Sequence, residues 1–220
     1  MNIDRFLRGA TRLAPIGAWF GGGLIFLGAI IVSIDVLMRK LFAVTLGGAD
    51  ELSGYALAIG SAWAFSFALL ERVNVRVVAL YQRFSPRLAG LFDIFALLAL
   101  AIFVGVVTWF GFDVALTSLT RSAMSNTQLK TPLWIPQGLW FFGMAFFFLT
   151  LALLLARSVQ AWLSSDFEWL RSNVGARSIE EDAESEAGYA QGSGLAPDSA
   201  MVHHSGLPEE SRVAPDRTRR

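Results

Sequence analysis

The chain has 220 residues; 54% are hydrophobic and 20 are glycine, more than the ~45–50% apolar share of soluble domains, so this is a membrane protein. Its 18 basic and 18 acidic residues cancel, but the charges crowd into the last quarter, in the acidic run 180–186 and the basic end 217–220, and they build no nucleic-acid patch. The absence of cysteine excludes a disulfide, a thiolate zinc site, an iron–sulfur cluster and a cysteine nucleophile.

Arg5, Arg8 and Arg12 precede an apolar run over 14–37 that only Asp35 interrupts. A secretory signal would have an apolar core of ~7–15 residues and a small-residue cleavage site. This run is longer and ends in Asp35-Val36-Leu37-Met38-Arg39-Lys40, so it reads as an anchor and first span. Gly17 and Gly21, beside Gly22 and Gly23, form a small-residue face suited to close helix packing. Asp35 stands four residues before Arg39, the order that favours an ion pair on a helix. Lying about one turn from the helix end, it reads as a structural charge rather than an intramembrane relay.

The second span starts at Glu51 and is uncharged over 52–70, roughly 28 Å of helix against ~30 Å of hydrocarbon. Gly54, Ala58, Ala62 and Ser66 recur every four residues along it, and Ala56, Gly60, Ala64 and Ala68 make a second small row. Other helices can approach its backbone on two sides, and close approach is a main source of helix association in lipid. The first row and the Gly17/Gly21 face are therefore the candidate partner interfaces. Glu51 is favoured at a helix N-terminus and can bond a basic group on a neighbour; Arg76, past the other end, is the remaining structural charge.

Val73, Val77, Leu80, Tyr81 and Phe84 fall on one line while Arg72, Arg76, Gln82 and Arg83 fall off it. That pattern predicts a short amphipathic helix in the membrane interface, ended by Ser85-Pro86. A third span covers 88–112, with Asp93 within two turns of its start and Trp109, Phe110 and Phe112 as an aromatic belt at its end. A polar connection over 113–131 follows. Pro132 and Pro136 then make a rigid lead into a fourth span over 137–156, which Val159, Trp162, Leu163, Trp169 and Leu170 could prolong to about residue 170. Beyond residue 172 Gly, Ser, Pro, Glu and Arg dominate, and the tail is expected to be disordered. The expectation is an all-α protein: a cytoplasmic N-terminus over 1–13, four transmembrane helices over 14–163 with the interfacial helix between the second and third, and a cytoplasmic tail over 164–220. Nine basic residues flank the span ends on the side of the termini, against four (Arg39, Lys40, Arg121 and Lys130) on the other, so both termini belong in the cytoplasm.

The only histidines, His203 and His204, lie in the tail. Neither a b-type haem held inside the bundle nor an intramembrane serine protease can be built without a histidine in a span. Gly21-Gly22-Gly23 sits inside an apolar span and is no phosphate loop. No cofactor or metal site is expected, and the residues alone read as a subunit, an adaptor or a small transporter.

Four stretches carry a resemblance: 35–42 (Asp-Val-Leu-Met-Arg-Lys-Leu-Phe), 48–53 (Gly-Ala-Asp-Glu-Leu-Ser), 72–77 (Arg-Val-Asn-Val-Arg-Val) and 131–140 (Thr-Pro-Leu-Trp-Ile-Pro-Gln-Gly-Leu-Trp), with Gly143 after the last. In order and spacing, over about residues 14–160, the chain resembles the small membrane subunit of tripartite ATP-independent periplasmic (TRAP) transporters. Asn74 and Val78 stand where that family often has a histidine and an acid. The resemblance implies a bacterial inner-membrane protein in stable partnership with a large permease subunit, itself moving an organic anion such as a carboxylate with the sodium gradient, and with a periplasmic substrate-binding protein. The small subunit would be a scaffold in contact with membrane lipid. The rivals are an adaptor of an unrelated membrane complex and a self-contained proton-coupled transporter. The latter needs a carboxylate near the midplane, whereas Asp35, Glu51 and Asp93 sit toward span ends.

Overall fold

A computed structural model describes residues 3–72 and 85–174. The region of the expected interfacial helix, with Arg76, and the tail beyond 174 lie outside the described residues. Four helices are long and apolar enough to cross a membrane: α1 (Ile3–Phe42), α2 (Ala49–Leu70), α3 (Pro86–Thr120) and α4 (Trp134–Leu163). A short helix, α5 (Phe167–Asn173), follows. Among the described residues there is no strand, only an isolated antiparallel bridge between Met124 and Pro132.

Helix ends follow the local chemistry. Asp4 lies in the first turn of α1 and Arg39 and Lys40 in its last, each sign where the helix dipole favours it. Ala43 leaves in the left-handed region at φ 53°, and the chain reaches α2 through Gly47 and Gly48 at φ 61° and 104°, backbone that glycine adopts without penalty. Ser85 is extended before Pro86, the N1 position proline suits.

The helices outrun the apolar runs. Instead of spans over 14–37 and 88–112, α1 has 40 residues and α3 has 35. Hydropathy marks the stretch that tolerates lipid, whereas helix hydrogen bonding continues until a residue breaks it, past Arg12 at one end and Asp113 at the other. The polar connection shrinks accordingly to 121–133. It is closed by Ser125 N–H bonding the Thr131 carbonyl at 2.9 Å and Leu133 N–H bonding that of Ala123 at 3.0 Å. The fourth helix does not run on to residue 170: it stops at Leu163, Ser165 turns at φ 58°, and Asp166 caps α5 by accepting from Trp169 N–H at 3.2 Å.

α4 is the hub, packing against α1, α2, α3 and α5, while α1 makes its largest contact with α2. The core joins Ala62 and Leu69 of α2, Leu97, Ala101 and Val104 of α3, and Met144, Phe147, Leu151 and Leu154 of α4. Val174, just past α5, belongs to the same cluster and Leu170 is equally buried. The connections 43–48 and 121–133 lie at one end of the bundle, the loop end, and the start of α1 and end of α4 at the other, the terminal end.

Candidate functional site

The interior of the bundle is built from backbone approaching backbone. A Cβ placed on Gly17 would stand 2.9 Å from the Trp63 carbonyl oxygen, and one on Gly60 would stand 2.6 Å from that of Gly21; a Cβ on Gly21 would overlap the Gly60 carbonyl. A Cβ on Gly28 would stand 3.1 Å from the Ala56 Cβ and 3.4 Å from the Ser53 Cα. On the other side of α2, a Cβ on Gly143 of α4 would meet Trp63 Cδ1 at 2.8 Å and the Ala62 backbone at 3.0 Å. Close approach of this kind maximises dispersion contact where lipid supplies no hydrophobic drive.

Trp63 sits where these contacts converge. Its indole N–H donates to the Leu139 carbonyl of α4 at 3.0 Å, and its ring meets Phe20 of α1 edge-on, centroids 5.4 Å apart. Sequence reasoning passed over it; the available signal was one large polar-edged ring inside two rows of small residues.

The structure divides the sequence-named residues. Gly17 and Gly21 face α2 within the subunit, and Ala62 and Ser66 are fully buried. Gly54 and Ala58 are exposed, and a Cβ on Gly54 would meet nothing within 4 Å. Two surface grooves flank this region. One, about 560 Å³, runs between α1 and α2 past Gly28, Val32, Ser53, Gly54 and Leu57. The other, about 520 Å³, is lined by Trp19, Gly22, Gly23, Phe26 and Phe67.

Polar contacts cap the loop end. Asp35 is 2% exposed, pairs with Arg39, and accepts from Leu46 N–H at 2.7 Å and Thr45 Oγ1 at 2.9 Å, so one carboxylate ties α1 to the 43–48 connection. Glu51 accepts from the Tyr55 hydroxyl at 2.7 Å and from Thr127 Oγ1, joining α2 to the second connection. Among the described residues these partners are hydroxyls. The same two connections touch where Gln128 and Leu129 crowd Gly47 and Gly48. At the terminal end Arg157 bonds Asp4 at 2.8 Å and lies 4.6 Å over the Trp169 ring, clasping α1, α4 and α5 together. Asp93, buried on α3, also has an interaction partner.

Among the described residues no three His, Cys, Asp or Glu side chains gather into a metal-binding group. Four long apolar helices with tight glycine contacts, capped by short polar networks, define a polytopic helical membrane protein. Residues 28–161, about three-fifths of the chain, match the family model described as tripartite ATP-independent periplasmic transporters, DctQ component. The chain belongs to that family and is a small membrane component of a TRAP transporter. No curated relative and no solved structure matches it.

Proposed function

We propose that this chain is the scaffold of its transporter, without catalysis of its own: it holds a much larger membrane subunit that moves an organic anion, such as a carboxylate, with the sodium gradient. A soluble periplasmic protein delivers the solute to that subunit. The chain then lies in the inner membrane, with the terminal end cytoplasmic and the loop end periplasmic, an orientation supported by the excess of basic residues beside the termini.

The observation that carries the reading is the division of α2. Ala62 and Ser66 are used inside the subunit, whereas Gly54 and Ala58 of the same four-residue row face outward, Gly54 lining an open groove. A small-residue surface facing lipid gains little, but facing another helix it allows close packing. Gly54 and Ala58 are thus the docking candidates, ahead of the groove at Trp19, Gly22 and Gly23.

The test replaces Gly54 and Ala58 by leucine together. Co-purification of the large subunit should be lost while the small subunit inserts and stays monodisperse in mild detergent; Ala62→Leu, an interior change, should instead damage the small subunit itself. Full co-purification with the Gly54/Ala58 variant would move the docking surface elsewhere.

A further inference from the structure

We propose that the bundle sits obliquely in the bilayer, its apolar belt sloping by about half a membrane thickness between α1 and α3. Contacts between the helices fix which residues stand level with one another. Gly21 meets Gly60 and Gly17 meets Trp63, which sets α1 against α2; Ala62 meets Gly143, which sets α2 against α4. Gly105 meets Phe148, Phe112 stacks near Phe141, and Trp162 Nε1 donates to the Arg87 carbonyl, which sets α4 against α3. Followed through, Arg12 of α1 stands level with Thr150 of α4 and with about residue 103 of α3. The ion pair between Asp4 and Arg157 gives the same register independently.

Asp113 of α3 and Arg12 of α1 are both exposed. Along the bundle axis they are only about ten residues apart, roughly 15 Å, against ~30 Å of hydrocarbon. An upright bundle would bury one of these charges in lipid. Arginine can snorkel toward the headgroups, but an aspartate is too short. Yet each helix alone has an adequate uncharged run, 13–34 in α1 and 94–112 in α3, about 33 and 28 Å. The runs are centred at different heights, near residue 24 in α1 and near residue 103, level with Arg12, in α3. Both helices pack on α4 without substantial contact with each other. Tilting the membrane plane across the bundle puts Arg12 at one surface and Asp113 at the other, with Trp109 and Phe112 as the aromatic girdle beside Asp113. The lipid-facing belt is then oblique, and any partner helix lying upright in the bilayer meets α1 and α3 at an angle.

The natural absence of cysteine makes the test direct. Leu13 and Phe103 are exposed and level, as are Phe26 and Leu116. Each is replaced singly by cysteine in the full chain, spin-labelled and reconstituted in lipid, and depth is read from oxygen against aqueous nickel-chelate relaxation. The oblique bundle puts 103 and 26 deep in hydrocarbon and 13 and 116 near opposite surfaces, with a depth difference of about 10 Å or more within each pair. Equal depths within both pairs would overturn the proposal and favour an upright bundle in a thinned membrane. Ile16 and Val106, also exposed and level, repeat the comparison should a variant lose monodispersity.

Discussion

Gly21 and Gly22 are neighbours of the same type in the same helix, so alanine at each isolates helix packing from every intrinsic property of glycine. A Cβ at Gly21 overlaps the Gly60 carbonyl oxygen and reaches the Gly60 carbonyl carbon at 3.0 Å and Cα at 3.2 Å, whereas one at Gly22 meets nothing within 4 Å. The obstructing atoms are backbone and cannot rotate aside; α1 and α2 must separate along their longest contact. Overpacking of that kind costs ~1–3 kcal/mol. The helix-propensity gain of up to ~1 kcal/mol for replacing glycine is common to both variants and cancels in the comparison. Gly21→Ala should therefore be less stable than Gly22→Ala by ~1–3 kcal/mol, measured by reversible unfolding in mixed detergent micelles, with Gly22→Ala at or above wild type. Equal stability of the two variants would refute the backbone contact between α1 and α2 on which the fold description depends.

Further predictions follow from the same contacts. Asp35→Ala removes the shared acceptor of the Leu46 N–H, the Thr45 hydroxyl and Arg39, and should lower the thermal midpoint and speed proteolysis at residues 43–48, with Asp35→Asn intermediate. Ser66 Oγ is buried with no hydrogen bond among the described residues, so Ser66→Ala should be neutral or stabilising; a loss above ~1 kcal/mol would mean the hydroxyl has a partner. Truncation after residue 174 should leave assembly intact, while truncation after 164 removes the buried Leu170 and Val174 and should lower the thermal midpoint by several degrees in a fluorescence melt.

Four membrane helices could be read from the sequence because an uncharged run near 20 residues long has few other stable fates. Their ends could not. Nothing local distinguishes Arg12, inside α1, from a residue preceding a helix, and Ser164-Ser165-Asp166, a turn and cap in retrospect, lies among apolar residues that equally suit a continuing helix. The small rows of α2 were visible as spacing, yet spacing cannot assign neighbours: Ala62 and Ser66 pack within the subunit while Gly54 and Ala58, on the same row, face outward. Likewise the separation of Asp35 and Arg39 states their nearness on a helix, but the bonds from Thr45 and Leu46 depend on how the 43–48 connection folds back through Gly47 and Gly48. Trp63 was overlooked because its role is defined by Gly17, Gly143 and Leu139, which only tertiary packing brings to it.

The central claim, that this chain is a scaffold for a larger transporting subunit, is tested most directly by reconstituting the large subunit with and without it. The large permease subunit from the same organism is placed in proteoliposomes with its binding protein, a carboxylate solute and an inward sodium gradient, and uptake is measured. The account predicts that the two membrane subunits co-purify, that uptake requires both, and that the small subunit alone moves no solute under either a sodium or a proton gradient. Gradient-driven uptake by this chain alone, or full uptake by the large subunit in its absence, would contradict it.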